Sequence, residues 1–139
     1  MVVTRLARTL LVIAAVIGIG AALLGGYHGY GEFLQGDAMP PGVLINAFDA
    51  TNCPVDMPGG GCFPAMTILP LNFGIVGIIT IIIAGVTLFA AVTTLRGRDR
   101  GLGLVLTSIP LLLVGGGFLA PILGFVGAGI AAIGSRKRK

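Results

Sequence analysis

The residues of this chain that could do chemistry are concentrated between residues 27 and 70. Its two cysteines, Cys53 and Cys62, lie in this segment and are separated by eight residues that include prolines and glycines. An even number of cysteines in an oxidising compartment favours a disulfide, which would stabilise the loop by roughly 2–3 kcal/mol. The alternative is a redox-active thiol pair, although the spacing is not the Cys-x-x-Cys arrangement that lowers a thiol pKa.

The single histidine, His28, precedes Glu32 by four residues, which raises the question of a metal site. Zinc sites usually contain close pairs of Cys or His ligands, with about two to five residues between them. The chain has no such pair, so we expect no metal and no cofactor. Because His28 lies between Tyr27 and Tyr30, we expect it to join the belt of amphipathic rings at a membrane interface.

The remaining polar residues give little support for an enzymatic function. In the topology argued below, Ser108 and Ser135 lie toward the opposite side of the membrane from His28, which excludes a serine–histidine pair. The glycine runs at 101–103 and 115–117 adjoin apolar segments and lack the lysine of a phosphate-binding loop. No spacing of carboxylates singles out an acid–base pair. We therefore predict no catalytic residues and a protein that is not an enzyme.

The composition indicates the class of protein to which these residues belong. Of 139 residues, 55% are hydrophobic and 10% charged. A soluble domain carries about 25% charged residues, and disorder requires low apolar content, so both classes are excluded. The composition is typical of an integral membrane protein, and the 24 glycines suit closely packed helices. The net charge of +4 does not indicate a nucleic-acid partner, because the basic residues flank apolar spans.

The hydropathy pattern predicts an all-α integral membrane protein with four segments in a single domain, residues 1–139. The predicted parts are a first span at about 9–26, an outer loop at 27–70, a second span at 71–95, a cytoplasmic turn at 96–101, a third segment at about 102–115, a fourth at about 118–134 and a basic tail at 135–139. We expect the first span to be an uncleaved anchor, because no clear cleavage site follows it. A cleaved signal peptide is the alternative.

The last apolar stretch is too long for one helix across a bilayer. Residues 102–134 would form a helix about 50 Å long, whereas the hydrocarbon core is about 30 Å thick. The glycine run at 115–117, with Pro110 before it and Pro121 after it, predicts a short hairpin. Two full spans and a re-entrant hairpin both fit these lengths.

Charge placement predicts the orientation. The nine basic residues form three clusters: Arg5 and Arg8; Arg96, Arg98 and Arg100; and Arg136, Lys137, Arg138 and Lys139. None lies in 27–70, which holds four of the five acids. Since basic residues near membrane ends stay in the cytoplasm, we expect both termini and the 96–101 turn there and the loop outside. The chain between Arg100 and Arg136 must then cross the membrane an even number of times. We expect the membrane to be a prokaryotic cell membrane.

Small residues recur at every fourth position in two segments. The first series is Ala14, Gly18, Ala22 and Gly26, and the other is Ala120, Gly124, Ala128 and Ala132. Each series makes a smooth helix face, which we expect to pack within the chain, with a seam between copies as the alternative. We also expect nearly all hydroxyl groups in the spans to bond to carbonyl groups of their own helices.

The predicted spans contain no ionisable residue, which argues against an ion carrier. The leading hypothesis is a non-enzymatic accessory or interaction subunit that presents a disulfide-stapled outer loop. Its partners would be the lipid bilayer and other membrane-protein subunits. One alternative is a homo-oligomeric transporter or channel component. Another is an extracytoplasmic thiol-redox protein.

Overall fold

The computed structural model describes residues 2–37, 67–97 and 100–136, with side chains from Arg5 onward. Its elements are α1 (Val2–Leu34), α2 (Phe73–Thr94), α3 (Leu102–Val114) and α4 (Leu119–Arg136), and these ranges contain no strand. In α1, α2 and α4 the length and apolar composition are sufficient to cross a membrane, whereas α3 is a shorter apolar helix. The all-α class predicted from the hydropathy pattern is therefore confirmed.

The four helices pack so that α1 and α3 each contact both α2 and α4. The first two helices are antiparallel, because Gly18 of α1 meets Ala91 whereas Gly29 meets Thr80. The fourth helix is also antiparallel to α1, since Gly127 approaches Gly18 while Gly134 approaches Leu10. The interior holds mostly small side chains, and large apolar side chains point outward. Phe89, for example, is 70% exposed. This arrangement suits a lipid environment, where small residues allow close helix packing.

The first helix continues to Leu34, eight residues beyond the predicted end of the first span. The first part of the predicted outer loop is therefore helical, and Tyr27, His28, Tyr30 and Glu32 all belong to α1. Glycines near residue 30 resemble loop residues in sequence, since glycine weakens an isolated helix. In the folded chain, however, Gly29 packs directly against Thr80 of α2. Tertiary packing thus outweighs the low helix propensity of this segment.

Most members of the two predicted small-residue series lie inside the chain. Ala14, Gly18, Ala22, Ala120, Gly124 and Ala128 are buried, whereas Gly26 and Ala132 are half-buried. Gly18 contacts Ala91 and Leu104, so it faces α2 and α3. On α4, Gly127 packs against the backbone of Ala14 and Gly18, although Gly127 itself belongs to neither series.

In the predicted second and third spans the hydroxyl groups follow the sequence-based expectation with one exception. Thr87, Thr93, Thr94, Thr107 and Ser108 each donate a hydrogen bond to a carbonyl group three or four residues earlier in their own helix. Thr80 instead donates to a side chain of α1. That exception marks the polar site described below.

The helix directions separate the charged residues into two ends of the bundle. The basic end comprises Arg5, Arg8, Arg96, Arg100 and Arg136, which lie at helix termini that the antiparallel packing brings together. The acidic end holds Glu32 and Asp37, which are the two acids within the described ranges.

Candidate functional site

Glu32 is the central residue of a polar cluster at the acidic end. Its side chain is 0% exposed, near the end of α1. The hydroxyl group of Thr80 in α2 donates a 3.3 Å hydrogen bond to Glu32 Oε2. The His28 side chain lies one turn earlier in α1, with Nε2 3.8 Å from Glu32 Oε1. Burial of a carboxyl group is costly without polar partners. Thr80 from α2 and His28 from α1 are the polar side chains that lie beside the Glu32 carboxyl group.

The turn between α3 and α4 covers this cluster. Gly115 packs against the Glu32 carboxyl group so closely that a Cβ atom at position 115 would overlap both carboxyl oxygens. Its φ of 152° is one that residues with a Cβ rarely adopt. Two residues later, a Cβ atom on Gly117 would lie 3.1 Å from His28 Nδ1. The glycine run, interpreted from sequence as a packing turn, thus forms the cover of a buried polar site.

A close approach of two backbones brings Thr80 within reach of Glu32. A Cβ atom on Gly77 would overlap the carbonyl oxygen of Gly29 and the backbone nitrogen of Phe33. One turn of α2 earlier, the backbone N–H of Gly74 donates a 2.7 Å hydrogen bond to the carbonyl group of Gly36. The absence of side chains at these positions allows α1 and α2 to touch. Only at this separation does a threonine hydroxyl reach across to a glutamate one helix away.

The two carboxyl oxygens have different surroundings. Glu32 Oε2 accepts the bond from Thr80, whereas Oε1 has no hydrogen-bond donor among the described residues. Gln35 Oε1 is similarly buried without a donor in those ranges. A carboxyl group beside an imidazole can hold or exchange a proton, or bind a small cation. Across residues 2–37, 67–97 and 100–136, His, Cys, Asp and Glu form no group of three that could hold a metal ion.

A small cavity adjoins the cluster on the side of His28. It measures about 240 Å³ and lies between α1 and the start of α4, with Tyr27, His28, Phe118 and Leu119 among its walls. The imidazole is 16% exposed, while the carboxyl group behind it is fully buried. His28 therefore lies between Glu32 and the surface of the bundle.

Several residues singled out in the sequence lie outside the described ranges. These are Cys53, Cys62, Arg98, Lys137, Arg138 and Lys139, so the predicted disulfide stays a prediction. Of the two serines, Ser108 bonds to Leu104 and packs against Gly124, and Ser135 lies at the basic end of α4.

Sequence reasoning missed the pairing of Glu32 with Thr80. It placed the acid in a loop and paired the hydroxyl with its own helix. A signal was present, because no proline occurs before Pro40 and the first helix is free to continue through His28 and Glu32. The spacing of four residues then places both side chains on one helix face.

The fold and the site define a class: an all-helical protein with three helices able to cross a membrane and a buried carboxyl group near one end of the bundle. No family model, curated protein or solved structure matches this chain.

Proposed function

We propose that this chain is a small, non-enzymatic membrane subunit that presents residues 38–66 to another membrane protein. The supporting observation is that both flanks of this segment are attached to the helical bundle. Gly36 accepts the 2.7 Å hydrogen bond from Gly74, and the backbone N–H of Ile68 donates a 3.0 Å bond to the carbonyl group of Leu113. Gly36 and Ile68, which flank the segment, are thereby tied to α2 and α3.

Side chains reinforce these attachments. The amide group of Asn72 donates a 3.4 Å hydrogen bond to Asp37 Oδ1, and its Oδ1 accepts a 2.9 Å bond from the N–H of Ile75. Asn72 therefore caps α2 and links it to Asp37, the residue that precedes the segment 38–66. The Glu32 cluster lies close by and joins α1, α2 and the turn at Gly115. In this proposal the buried polar groups hold the base of the presenting segment rigid.

The orientation is part of the proposal. Basic residues near membrane ends favour the cytoplasm, so the basic end faces inward and residues 38–66 are outside. Helices α3 and α4 then form a hairpin that returns the chain to the cytoplasmic side. With 13 residues, α3 is about 20 Å long, which is less than the hydrocarbon core and fits a re-entrant arm or a locally thin bilayer. A disulfide between Cys53 and Cys62 would limit the conformations of the presented segment.

Affinity purification from native membranes in mild detergent tests the proposal. We expect a specific partner to be recovered with the wild-type chain. A variant with residues 38–66 replaced by a Gly-Ser sequence of equal length should lose that partner while retaining membrane insertion and helix content. The matched control is Phe89→Leu, which alters an outward-facing side chain of α2 and should retain the partner. Recovery of the wild-type chain alone in every detergent would contradict the proposal.

The second candidate is a homo-oligomeric transporter or channel component, which one observation favours. The sequence-based objection was the absence of an ionisable residue in the spans, but Glu32 is buried within α1. Intramembrane carboxyl groups commonly mark ion or proton pathways. Native mass spectrometry should then show a discrete oligomer, and liposomes should show a flux that Glu32→Gln abolishes. A flux that is unchanged in this variant, or no flux in the wild type, would exclude the candidate.

A further inference from the structure

We propose that the groove between α3 and α4 at the basic end binds one anionic phospholipid, with its phosphate at Arg100 and an acyl chain along the two helices. The groove has a volume of about 530 Å³. Its apolar walls are Leu102 and Val105 from α3, and Phe125, Ala128 and Ala132 from α4. This inference does not depend on the proposed interaction function.

The groove follows from small residues on α4. Gly101 packs against the backbone of α4, since a Cβ atom there would lie 2.6 Å from the carbonyl oxygen of Ala128. Beside this contact, Gly129 faces open space, with no atom within 4 Å of an added Cβ. The two helices therefore touch at Gly101 and Ala128, and the groove lies beside this contact. From Phe125 to Ala132 the groove extends about 10 Å along α4, toward the basic end of the bundle.

Arg100 supplies the charge at the mouth of the groove. Its side chain is exposed and forms no ion pair with any residue in the described ranges. Its backbone has a φ of 51°, unusual for a residue other than glycine, where the chain turns into α3. A guanidinium group can donate two parallel hydrogen bonds to a phosphate group. An apolar groove that ends at an exposed arginine matches an acyl chain attached to a phosphate headgroup.

The charge distribution favours an anionic over a zwitterionic lipid. Arg5, Arg8, Arg96 and Arg136 lie at the same end as Arg100, while both described acids lie at the opposite end. Basic residues clustered at one end of a membrane-spanning bundle attract anionic headgroups. A second basic surface, beside Arg5 and Arg8, is lined among the described residues by α1 alone.

Native mass spectrometry of the full-length protein tests this site. The probes are phosphatidylglycerol and phosphatidylcholine with identical acyl chains. We expect the wild type to retain one phosphatidylglycerol in preference to phosphatidylcholine. Arg100→Gln should weaken this retention by about fivefold or more, the effect of one charge near a lipid headgroup, whereas Arg5→Gln should leave it nearly unchanged.

A second variant tests the apolar part of the groove. Gly129→Leu places a side chain in the groove and should also reduce retention of phosphatidylglycerol. Gly85→Leu, at an equally open position on α2, should not reduce it. Circular dichroism establishes that each variant is helical. Equal retention of the two lipids, equal losses in Arg100→Gln and Arg5→Gln, or full retention in Gly129→Leu would each overturn the proposal.

Discussion

The hydroxyl group of Thr80 in α2 donates a hydrogen bond to the carboxyl group of Glu32 in α1, across 48 residues of sequence. Both residues are 0% exposed. The other hydroxyl groups of α2, those of Thr87, Thr93 and Thr94, bond within their own helix. The Thr80 bond therefore joins two helices at the base of the segment that we propose to be presented.

Replacement of Thr80 by valine should destabilise the protein by about 1–3 kcal/mol, because it removes the donor to a buried carboxyl group without changing the side-chain shape. The stability is measured by reversible unfolding in mixed detergent micelles. Thr87→Val is the matched control, since Thr87 is equally buried in α2 but bonds within its own helix, to the carbonyl group of Ile83. Equal losses for the two variants would show that the Glu32 contact adds no stability.

Gly115→Ala should destabilise the protein by at least about 1–3 kcal/mol, because the new methyl group would overlap the Glu32 carboxyl group and the backbone φ is unfavourable for alanine. Gly129→Ala, at an open helical position, should be neutral or slightly stabilising. Thermal unfolding in detergent compares the two variants. A neutral Gly115→Ala would be incompatible with the close cover over Glu32.

Gly77→Ala should separate α1 from α2, because its methyl group would meet the backbone of Gly29 and Phe33 instead of flexible side chains. We expect a loss of about 1–3 kcal/mol. Gly85→Ala lies in the same helix, in open space, and should cost nothing. Disulfide cross-linking rates between cysteines introduced in α1 and α2, on a background without Cys53 and Cys62, report the helix separation directly. Unchanged rates in Gly77→Ala would contradict the proposed contact.

The two native cysteines should be oxidised to each other and lie outside the cell. A membrane-impermeant thiol reagent applied to intact cells should label neither cysteine until a reductant is added, and should then label both Cys53 and Cys62. Labelling without reductant would exclude the disulfide, and labelling only after membrane permeabilisation would exclude the outer location. Loss of a thiol-exchange activity in Cys53→Ser, with unchanged stability, would instead favour a redox role.

Both chain termini should be cytoplasmic. A reporter that is active only in the cytoplasm, fused after Lys139, should be active, and a reporter that requires export should be silent there. The physical reason is the placement of Arg5, Arg8, Arg96, Arg100 and Arg136 at one end of the bundle. The opposite result would invert the proposed orientation and move residues 38–66 to the cytoplasm.

The helices could be predicted from the sequence because each apolar run is long and bounded by local signals. Charged residues follow α2 closely, and the glycine run at 115–117 separates α3 from α4. The end of α1 could not be predicted in this way. Glycines at 25, 26, 29 and 31 are characteristic of a loop when they are considered alone. The absence of a proline before Pro40 permits a longer helix, and packing of Gly29 against Thr80 stabilises it.

The sequence by itself determined the class and the separation of charge, since hydropathy and charge placement are properties of consecutive residues. Only the tertiary structure decided that Glu32 is buried beneath Gly115 and bonded to Thr80. These residues come from three distant parts of the chain, and their contact depends on how closely α1 approaches α2. That distance is set by Gly77 meeting the backbone of Gly29, which no local pattern around either glycine reveals.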